Sequence, residues 1–358
     1  MKAFWGLVFG LIVSLMLVKF AGESPAEIFQ IIFKSAFGTW DDLALSLFYT
    51  TSLIFSGLSV SIAFHAGLFN IGVEGQLSVA AAAAAAAGIF LPQIPYPYAP
   101  VVALLVAGLA GALWGLIPGI LKAYRGSHEV ITTMMMNFLA GGLISWLIQG
   151  FLKNPNSQNP ESAPVASGYL LQKPEFISTT LPNTPLNSSF FFALGLSVLL
   201  FVYLYRTVWG YELRIVGQNE TAAEIAGINA KRVRIIAMSL AGVFASFVGM
   251  NEILGSAGKY RLGFSPDYGF TGIAVALLAR NNPLAILLSA FLFGALHKGA
   301  SDLDLETQMI NRDFAKIIQS VVIFSVASFY FFDFERLFKK LNFKKFNFTK
   351  VYKWIKKV

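Results

Sequence analysis

Two long apolar runs separated by a short glycine-containing segment decide how this chain folds. The first run, residues 44–64, reads ALSLFYTTSLIFSGLSVSIAF, and the second, residues 70–91, reads NIGVEGQLSVAAAAAAAAGIFL. A helix needs about 20 predominantly apolar residues to cross the hydrocarbon core of a bilayer. Both runs reach that length, so we expect each of them to form a membrane-spanning helix.

Eight further apolar runs extend this pattern over most of the chain. They cover residues 4–20, 99–121, 129–151, 189–206, 234–254, 267–280, 283–298 and 314–333. Of the 358 residues, 56% are hydrophobic and only 13% are charged, whereas soluble globular proteins carry about 25% charged residues. The sequence therefore predicts an all-α polytopic membrane protein with about ten transmembrane helices. We interpret the N-terminal run, 4–20, as an uncleaved span, because no small-x-small cleavage site follows it.

Basic residues in the short loops predict which side of the membrane faces the cytoplasm. Lys122 and Arg125 lie in one connection, the segment 211–234 carries further Lys and Arg, and the chain ends in a basic tail. A ten-span arrangement places all three on one side, so we expect both termini to be cytoplasmic. The polar loop 153–188 and the acidic connection 302–313 then lie outside.

The net charge of +8 comes from the C-terminal tail. Between Arg336 and Val358 there are nine Lys or Arg and no acid, interleaved with aromatic residues. Such a composition beside a membrane span is typical of a segment that lies on an anionic lipid surface, and no nucleic-acid-binding module accompanies it. We therefore divide the chain into a transmembrane domain, 1–333, and a basic aromatic tail, 334–358.

Cysteine and histidine usage excludes several kinds of site. The chain has no cysteine and three histidines that are far apart in sequence. Disulfides, thiol redox chemistry and cysteine-ligated metals are excluded, and no metal site or cofactor is expected. We also find no paired acids and no nucleophile beside a base, so no catalytic residue is predicted.

Two apolar runs, 267–280 and 283–298, look too short to cross the membrane fully. Pro283 follows Asn281 and Asn282 and cannot continue the preceding helix without the loss of a backbone hydrogen bond. The pair forms either a tight cytoplasmic hairpin of tilted helices or two partial spans that line a pathway. Elsewhere, the spacing of Gly111, Gly115 and Gly119 and the alanine run 80–87 predict close helix packing.

The segment 65–76 carries polar groups that are unusual between two spans. It contains three glycines and, among its polar residues, Asn70, Glu74 and Gln76. A carboxylate near lipid depth is costly unless it faces water or a partner, and glycine allows a helix to break toward a cavity. The alternative is a plain cytoplasmic loop in which Glu74 caps the helix that follows it.

A second polar segment, 211–234, predicts a docking surface. Thr221 and Glu224 have the spacing of a capping box, so a short helix should run from Thr221 to residue 226 and end at Gly227. A compact helix flanked by basic residues between two spans is suited to binding a soluble partner, although an ordinary interfacial loop is the alternative. No G-x-x-x-x-G-K-[ST] loop is present, so a separate chain would have to bind ATP.

Three ordered blocks resemble one family of membrane proteins. FNIGVEGQ at 69–76, HEVITTMMMN at 128–137 and GQNETAAEIAGI at 217–228 are similar to segments of bacterial ABC-importer permeases for nucleosides and related solutes. That group is a branch of the larger family of ribose and branched-chain amino-acid permeases. The resemblance extends from about residue 43 to 333. It departs at Gln218-Asn219, where the family often has Asn-Pro.

The resemblance implies a subunit of the bacterial plasma (inner) membrane that is not itself an enzyme. Its implied partners are two cytoplasmic ATPase subunits, a second permease (identical or a sibling), an external solute-binding lipoprotein and the lipid bilayer. The residues implied to lie along the translocation pathway are Asn70, Glu74, Gln76, His128, Thr132, Thr133 and Asn137. The residues implied to couple to the ATPase are Asn219, Thr221, Glu224, Ile225 and Gly227.

Nucleosides are the cargo that the resemblance favours, with riboflavin and simple sugars as alternatives. An ion-coupled secondary transporter is an alternative of another class. It would need more buried carboxylates than Glu74 to carry protons or sodium, so we expect it less.

Overall fold

The computed structural model describes residues 2–306 and 312–331, and this part of the chain is built of helices and connecting loops. The helices are, in chain order, α1 (Lys2–Phe20), α2 (Pro25–Phe37), α3 (Trp40–His65), α4 (Val73–Phe90), α5 (Tyr98–Arg125), α6 (Glu129–Gln149), α7 (Glu175–Thr180), α8 (Ser189–Arg206), α9 (Val208–Gln218), α10 (Glu220–Ile225), α11 (Ala230–Gly249), α12 (Tyr268–Leu278), α13 (Pro283–Glu306) and α14 (Arg312–Phe331). A π-helical segment, Met250–Ala257, continues α11. The predicted tail, 334–358, and part of the connection 302–313 lie outside the described residues.

Seven helices in the described residues are long and apolar enough to cross a membrane: α3, α4, α5, α6, α8, α11 with its π-helical extension, and α13. The pair α1 and α2 passes the same test together but is bent by 119°, which brings the number to eight if the pair is one span. The all-helical membrane class is therefore confirmed, with seven or eight candidate spans. Helix α12 and the apolar stretch of α14 are shorter than a full span.

Helix α3 forms the centre of the bundle. Almost every residue from Phe48 to Ala63 is buried, as expected for a helix that is apolar all round and surrounded by others. Small residues let its neighbours approach closely: a Cβ built on Gly272 of α12 would lie 2.6 Å from Ser56 Cβ. The hydroxyl of Ser59 also donates a 2.7 Å hydrogen bond to the Ala241 carbonyl of α11.

The glycine stripe of α5 packs against α11, as the sequence predicts. A Cβ on Gly111 would lie 2.3 Å from the Gly242 carbonyl oxygen, and one on Gly115 would lie 2.3 Å from that of Met238. The two backbones are therefore in direct contact where these helices cross. Most of the alanine run of α4 is buried and belongs to one apolar cluster with α5 and α6.

The second of the two apparently short runs is longer than expected. Helix α13 has 24 residues and is a candidate full span, whereas α12 has 11. The sequence pattern was misleading because Lys298 and Asp302 interrupt the apolar run, but these two residues pair with each other. Near its start, α12 packs through Gly272 against Ser56, which lies near the middle of α3. Just beyond the end of α12, the Asn281 carbonyl accepts a 2.7 Å hydrogen bond from Ser61 of α3.

Helix α2 was not anticipated from the sequence. It lies across the end of the bundle, and Gly299 of α13 packs against Ile32. Lys298, which is 5% exposed, contacts Asp302, donates a 3.1 Å hydrogen bond to Ser35 of α2 and lies 3.4 Å from Asp42 of α3. A single buried cation thus ties three helices together.

Candidate functional site

The linking segment, which we define as residues 66–72, joins α3 to α4 without leaving the bundle. Helix α3 ends at His65, and Gly67, two residues further on, has a φ of +71° that suits glycine. The Leu68 amide donates a 3.0 Å hydrogen bond back to the Ala63 carbonyl. Within the segment, Asn70 accepts a 2.9 Å bond from the Gly72 amide and donates a 3.1 Å bond to Gln76. Asn70 and Gln76 are both almost fully buried.

Helix α6 satisfies the backbone groups that the irregular segment leaves free. Asn137 accepts from the Gly75 amide at 2.9 Å and donates to the Ile71 carbonyl at 3.0 Å. The hydroxyl of Thr133 accepts from the Ile71 amide at 3.3 Å. Irregular backbone is tolerated inside a membrane protein only where such partners or water satisfy it, so these two side chains allow the linking segment to stay buried.

Glu74 caps a helix that is distant in sequence. Its Oε2 accepts a 2.7 Å hydrogen bond from the Gly269 amide at the start of α12, and Ser265 also bonds to the carboxylate. A negative charge is favourable at a helix N-terminus. A Cβ on Gly269 would lie 2.4 Å from the Glu74 nitrogen, so α4 and α12 touch through their backbones here.

Glu74 and Asn137 also line an open pocket of about 320 Å³ between α4, α6 and the loop that precedes α12. Most of its lining surface is apolar, and we call it the polar pocket after the hydroxyl groups that Ser78, Ser145 and Tyr260 contribute to it. Ser78 also hydrogen-bonds to Tyr260. These three residues lie on separate elements, so no periodic pattern in the sequence groups them.

The other residues assigned to a pathway occupy different places. Asn70, Gln76 and Thr133 are buried behind the wall of the pocket. Thr132 bonds to the Glu129 carbonyl of its own helix at 3.1 Å, and His128 is exposed at the N-terminal boundary of α6. The structure therefore brings Glu74 and Asn137 together at the pocket and leaves Thr132 and His128 outside it.

A second carboxylate inside the bundle was missed. Glu252, in the π-helical segment, accepts a 2.7 Å hydrogen bond from Ser52 and also bonds to Tyr268. Beside it, Asn251 donates to Ser52 at 2.8 Å and accepts from Ser189 at 2.7 Å. The expectation that Glu74 is the sole carboxylate of the spans was thus wrong.

Helices α9 and α10 form a compact knob between α8 and α11. Asn219, not Thr221, caps α10: its side chain accepts a 3.0 Å bond from the Ala222 amide. The predicted capping box is wrong because the helix starts one residue earlier than its spacing implied, at Glu220. The predicted end is confirmed, since Gly227 has a φ of +79° and the Ile228 amide bonds to the Ala223 carbonyl.

The outer face of α10 is exposed. Ala223 is fully buried, whereas Ile225 is 84% exposed and both Thr221 and Glu224 are exposed. The inner face is anchored by an ion pair between Arg234 and Glu220, 2.6 Å apart. An anchored helix that presents an exposed isoleucine to the solvent is suited to inserting into a partner protein.

At the opposite end of α8, the loop 153–188 is held to the bundle by charge. Glu161 lies 2.8 Å from Lys259 and 3.7 Å from Arg261. The hydrogen bond from Lys259 lowers the pKa of the Glu161 carboxyl. Among the described residues, no group of three or more histidine, aspartate or glutamate side chains could hold a metal ion.

Comparison with known proteins relates residues 43–327 to the family model described as "Branched-chain amino acid transport system / permease component". The chain is 34% identical to the guanosine ABC transporter permease protein NupP of Bacillus subtilis, over 90% of this chain and 92% of the relative. It is 31% identical to the nucleoside ABC transporter permease protein NupB of Lactococcus lactis, over 90% and 88%. It is 32% identical to the glucose ABC transporter permease protein TsgB13 of Haloferax volcanii, over 86% and 82%. No solved structure matches significantly.

Proposed function

The chain belongs to the family of branched-chain amino acid transport system permease components, and we propose that it forms one half of the membrane pathway of an ATP-driven nucleoside importer. Its relatives are transport components of ABC transporters, and the chain is accordingly an ABC transporter permease of the bacterial inner membrane. The finer statements that follow, on partners, topology, pathway and cargo, are proposals.

The exposed face of α10 is the observation that carries the proposed coupling to ATP. Ile225, Thr221 and Glu224 point away from the bundle, and Asn219 and Gly227 fix where the helix starts and ends. An exposed isoleucine on a helix whose opposite face is anchored needs an apolar pocket on a partner to be buried. We assign that pocket to a cytoplasmic ATPase subunit, two of which would serve this chain and a second permease.

The polar pocket is the proposed place where solute passes this subunit. Glu74 and Asn137 line it, and we assign Asn70, Gln76 and Thr133 to the support of its wall. His128 and Thr132 would lie at the cytoplasmic end of the same pathway. The surface that completes the pathway would come from the second permease, and an external solute-binding lipoprotein would deliver the solute.

We propose ten spans with both termini in the cytoplasm. Besides the seven candidate spans, the three would be α1, the short helix α12 and α14. This arrangement puts α10 and the basic loop after α5 on the cytoplasmic side and the loop 153–188 outside. It also makes 1–333 the permease domain, with 334–358 as a cytoplasmic tail.

Nucleosides are the proposed cargo because the guanosine and nucleoside permeases match about nine tenths of this chain. Simple sugars are the second candidate, because the glucose permease is similar over most of its length as well. Competition of labelled guanosine uptake by unlabelled uridine, glucose and riboflavin distinguishes these cargoes. We expect uridine to compete and the other two not to.

A charged substitution on α10 tests whether this helix binds the ATPase subunit. We expect Ile225→Asp to abolish recovery of the ATPase subunit with the permease from detergent extract, since a carboxylate would replace the side chain that fills the partner's pocket. Phe176→Asp is the control, because Phe176 is also exposed, at 60%, but lies in the loop at the other end of α8. If both variants recover the ATPase as well as the unmodified chain does, α10 is not the docking surface.

A further inference from the structure

The linking segment contacts the knob formed by α9 and α10 through backbone atoms alone. A Cβ on Gly217, the second-last residue of α9, would lie 2.1 Å from the His65 carbonyl oxygen and 2.8 Å from the Gly67 nitrogen. A Cβ on Gly67 would lie 3.1 Å from the Gly217 Cα. Without side chains between them, the end of α9 and the end of α3 are in rigid contact.

Each of the two glycines lies close in sequence to one of the two proposed functional surfaces. Gly217 stands two residues before Asn219, whose side chain caps α10. Gly67 stands at the start of the linking segment, which leads through Asn70 to Glu74 at the polar pocket. The far end of the segment is held by the hydrogen bonds of Asn137 to Ile71 and Gly75.

Resting on the coupling function proposed above, we propose that the Gly217–Gly67 contact is the positioning element that transmits movement of α10 to the polar pocket. A displacement of α10 moves the end of α9, which displaces the linking segment because no flexible side chain lies between them. The segment then shifts Glu74 relative to the Gly269 amide that it caps. Movement of the ATPase would therefore open or close the pocket through the contact between Gly217 and Gly67.

The chain offers a matched pair of substitutions for the test. Gly217→Ala forces the α9 and α3 backbones apart, since the methyl group would overlap the His65 carbonyl. Gly210→Ala is the control: Gly210 is in the same helix, and its Cβ would also lie 2.1 Å from a carbonyl oxygen, that of Tyr203 at the end of α8. Both variants strain α9 to a similar degree, but only the first alters the contact with the linking segment.

The measurement is the ratio of guanosine transported to ATP hydrolysed in proteoliposomes that contain the complete importer. We expect Gly217→Ala to keep ATPase binding and hydrolysis but to lower this ratio by about tenfold, and Gly210→Ala to leave the ratio unchanged. Equal ratios in the two variants, with the ATPase bound, overturn the transmission role and leave the proposed function standing. Failure of the unmodified chain to bind an ATPase would overturn the function itself.

A second measurement does not depend on whether Gly217→Ala folds. The chain has no cysteine, so Ser78→Cys introduces a single thiol one turn beyond Glu74 at the wall of the pocket. We expect its rate of maleimide labelling to differ by about threefold or more between the ATP-bound and nucleotide-free importer, whereas a Ser157→Cys thiol in the outer loop should react equally in both states. Identical labelling of Ser78→Cys in the two states contradicts the proposal.

Discussion

Replacement of Gly242 by alanine tests the helix crossing on which the fold depends. A methyl group on Gly242 would lie 1.9 Å from the Gly111 carbonyl oxygen and 2.5 Å from its carbon. Because nonbonded carbon and oxygen atoms need about 3.4 Å, α5 and α11 must separate locally by about 1.5 Å. A gap of that size loses at least half of the dispersion energy along the contact, and overpacking of this kind destabilises by about 1–3 kcal/mol.

We expect Gly242→Ala to reach the upper end of that range, about 3 kcal/mol, since both atoms that it meets belong to the backbone and cannot rotate away. The assay is equilibrium unfolding in mixed micelles, followed by tryptophan fluorescence. Gly195→Ala in α8 is the control, because no neighbouring atom lies within 4 Å of its added Cβ and alanine favours a helix by about 0.5–1 kcal/mol. If Gly242→Ala is as stable as Gly195→Ala, the close backbone contact does not exist.

Three further predictions concern polar groups. Asn137→Ala leaves the Gly75 amide and the Ile71 carbonyl unsatisfied and should destabilise the fold by about 2–5 kcal/mol in the same unfolding assay, with Ser145→Ala on the same helix as the control. Lys298→Met should cost about 3–5 kcal/mol because Asp302 loses its partner, and the double variant with Asp302→Asn should recover part of that loss. The lowered pKa of Glu161 means that its stabilisation of the loop 153–188 is present at neutral pH and is lost as the pH falls below the ordinary pKa of a glutamate and through the lowered one. Proteolysis of the loop should therefore accelerate in acid, and Lys259→Met should remove this dependence.

The sequence predicts most of the helical scaffold because a span leaves a direct signal in composition. Each of the ten apolar runs overlaps a helix of the structure, and the glycine spacing of α5 marked a face that packs closely, with α11 as the partner. The family assignment is confirmed by the match over residues 43–327. These features depend on local composition and spacing, which a single sequence contains.

The features that were not predicted from the sequence are partly local and partly dependent on long-range pairing. Lys298 and Asp302 make α13 look interrupted until their mutual ion pair is seen. Likewise, Glu252 gave no local signal, because its partner Ser52 lies 200 residues away. Thr221 offered a plausible capping box, but Asn219 takes the capping role and α10 starts one residue earlier than expected, at Glu220. The Glu252–Ser52 contact exists only in the fold, whereas the Lys298–Asp302 pair and the Asn219 cap join residues close in sequence, where the spacing of the residues already contains the signal.

The energy source for transport distinguishes an ATP-driven permease from an ion-coupled transporter. This test is needed because Glu252 is a second buried carboxylate, and buried carboxylates are the groups that an ion-coupled transporter requires. The experiment is guanosine uptake into proteoliposomes that contain this chain, its second permease, the ATPase subunits and the solute-binding protein. We expect uptake to require ATP on the side of the liposome membrane where the ATPase subunits are bound. Uptake should persist when proton and sodium gradients are dissipated. Uptake by this chain without the ATPase, abolished when either gradient is collapsed, would contradict the assignment.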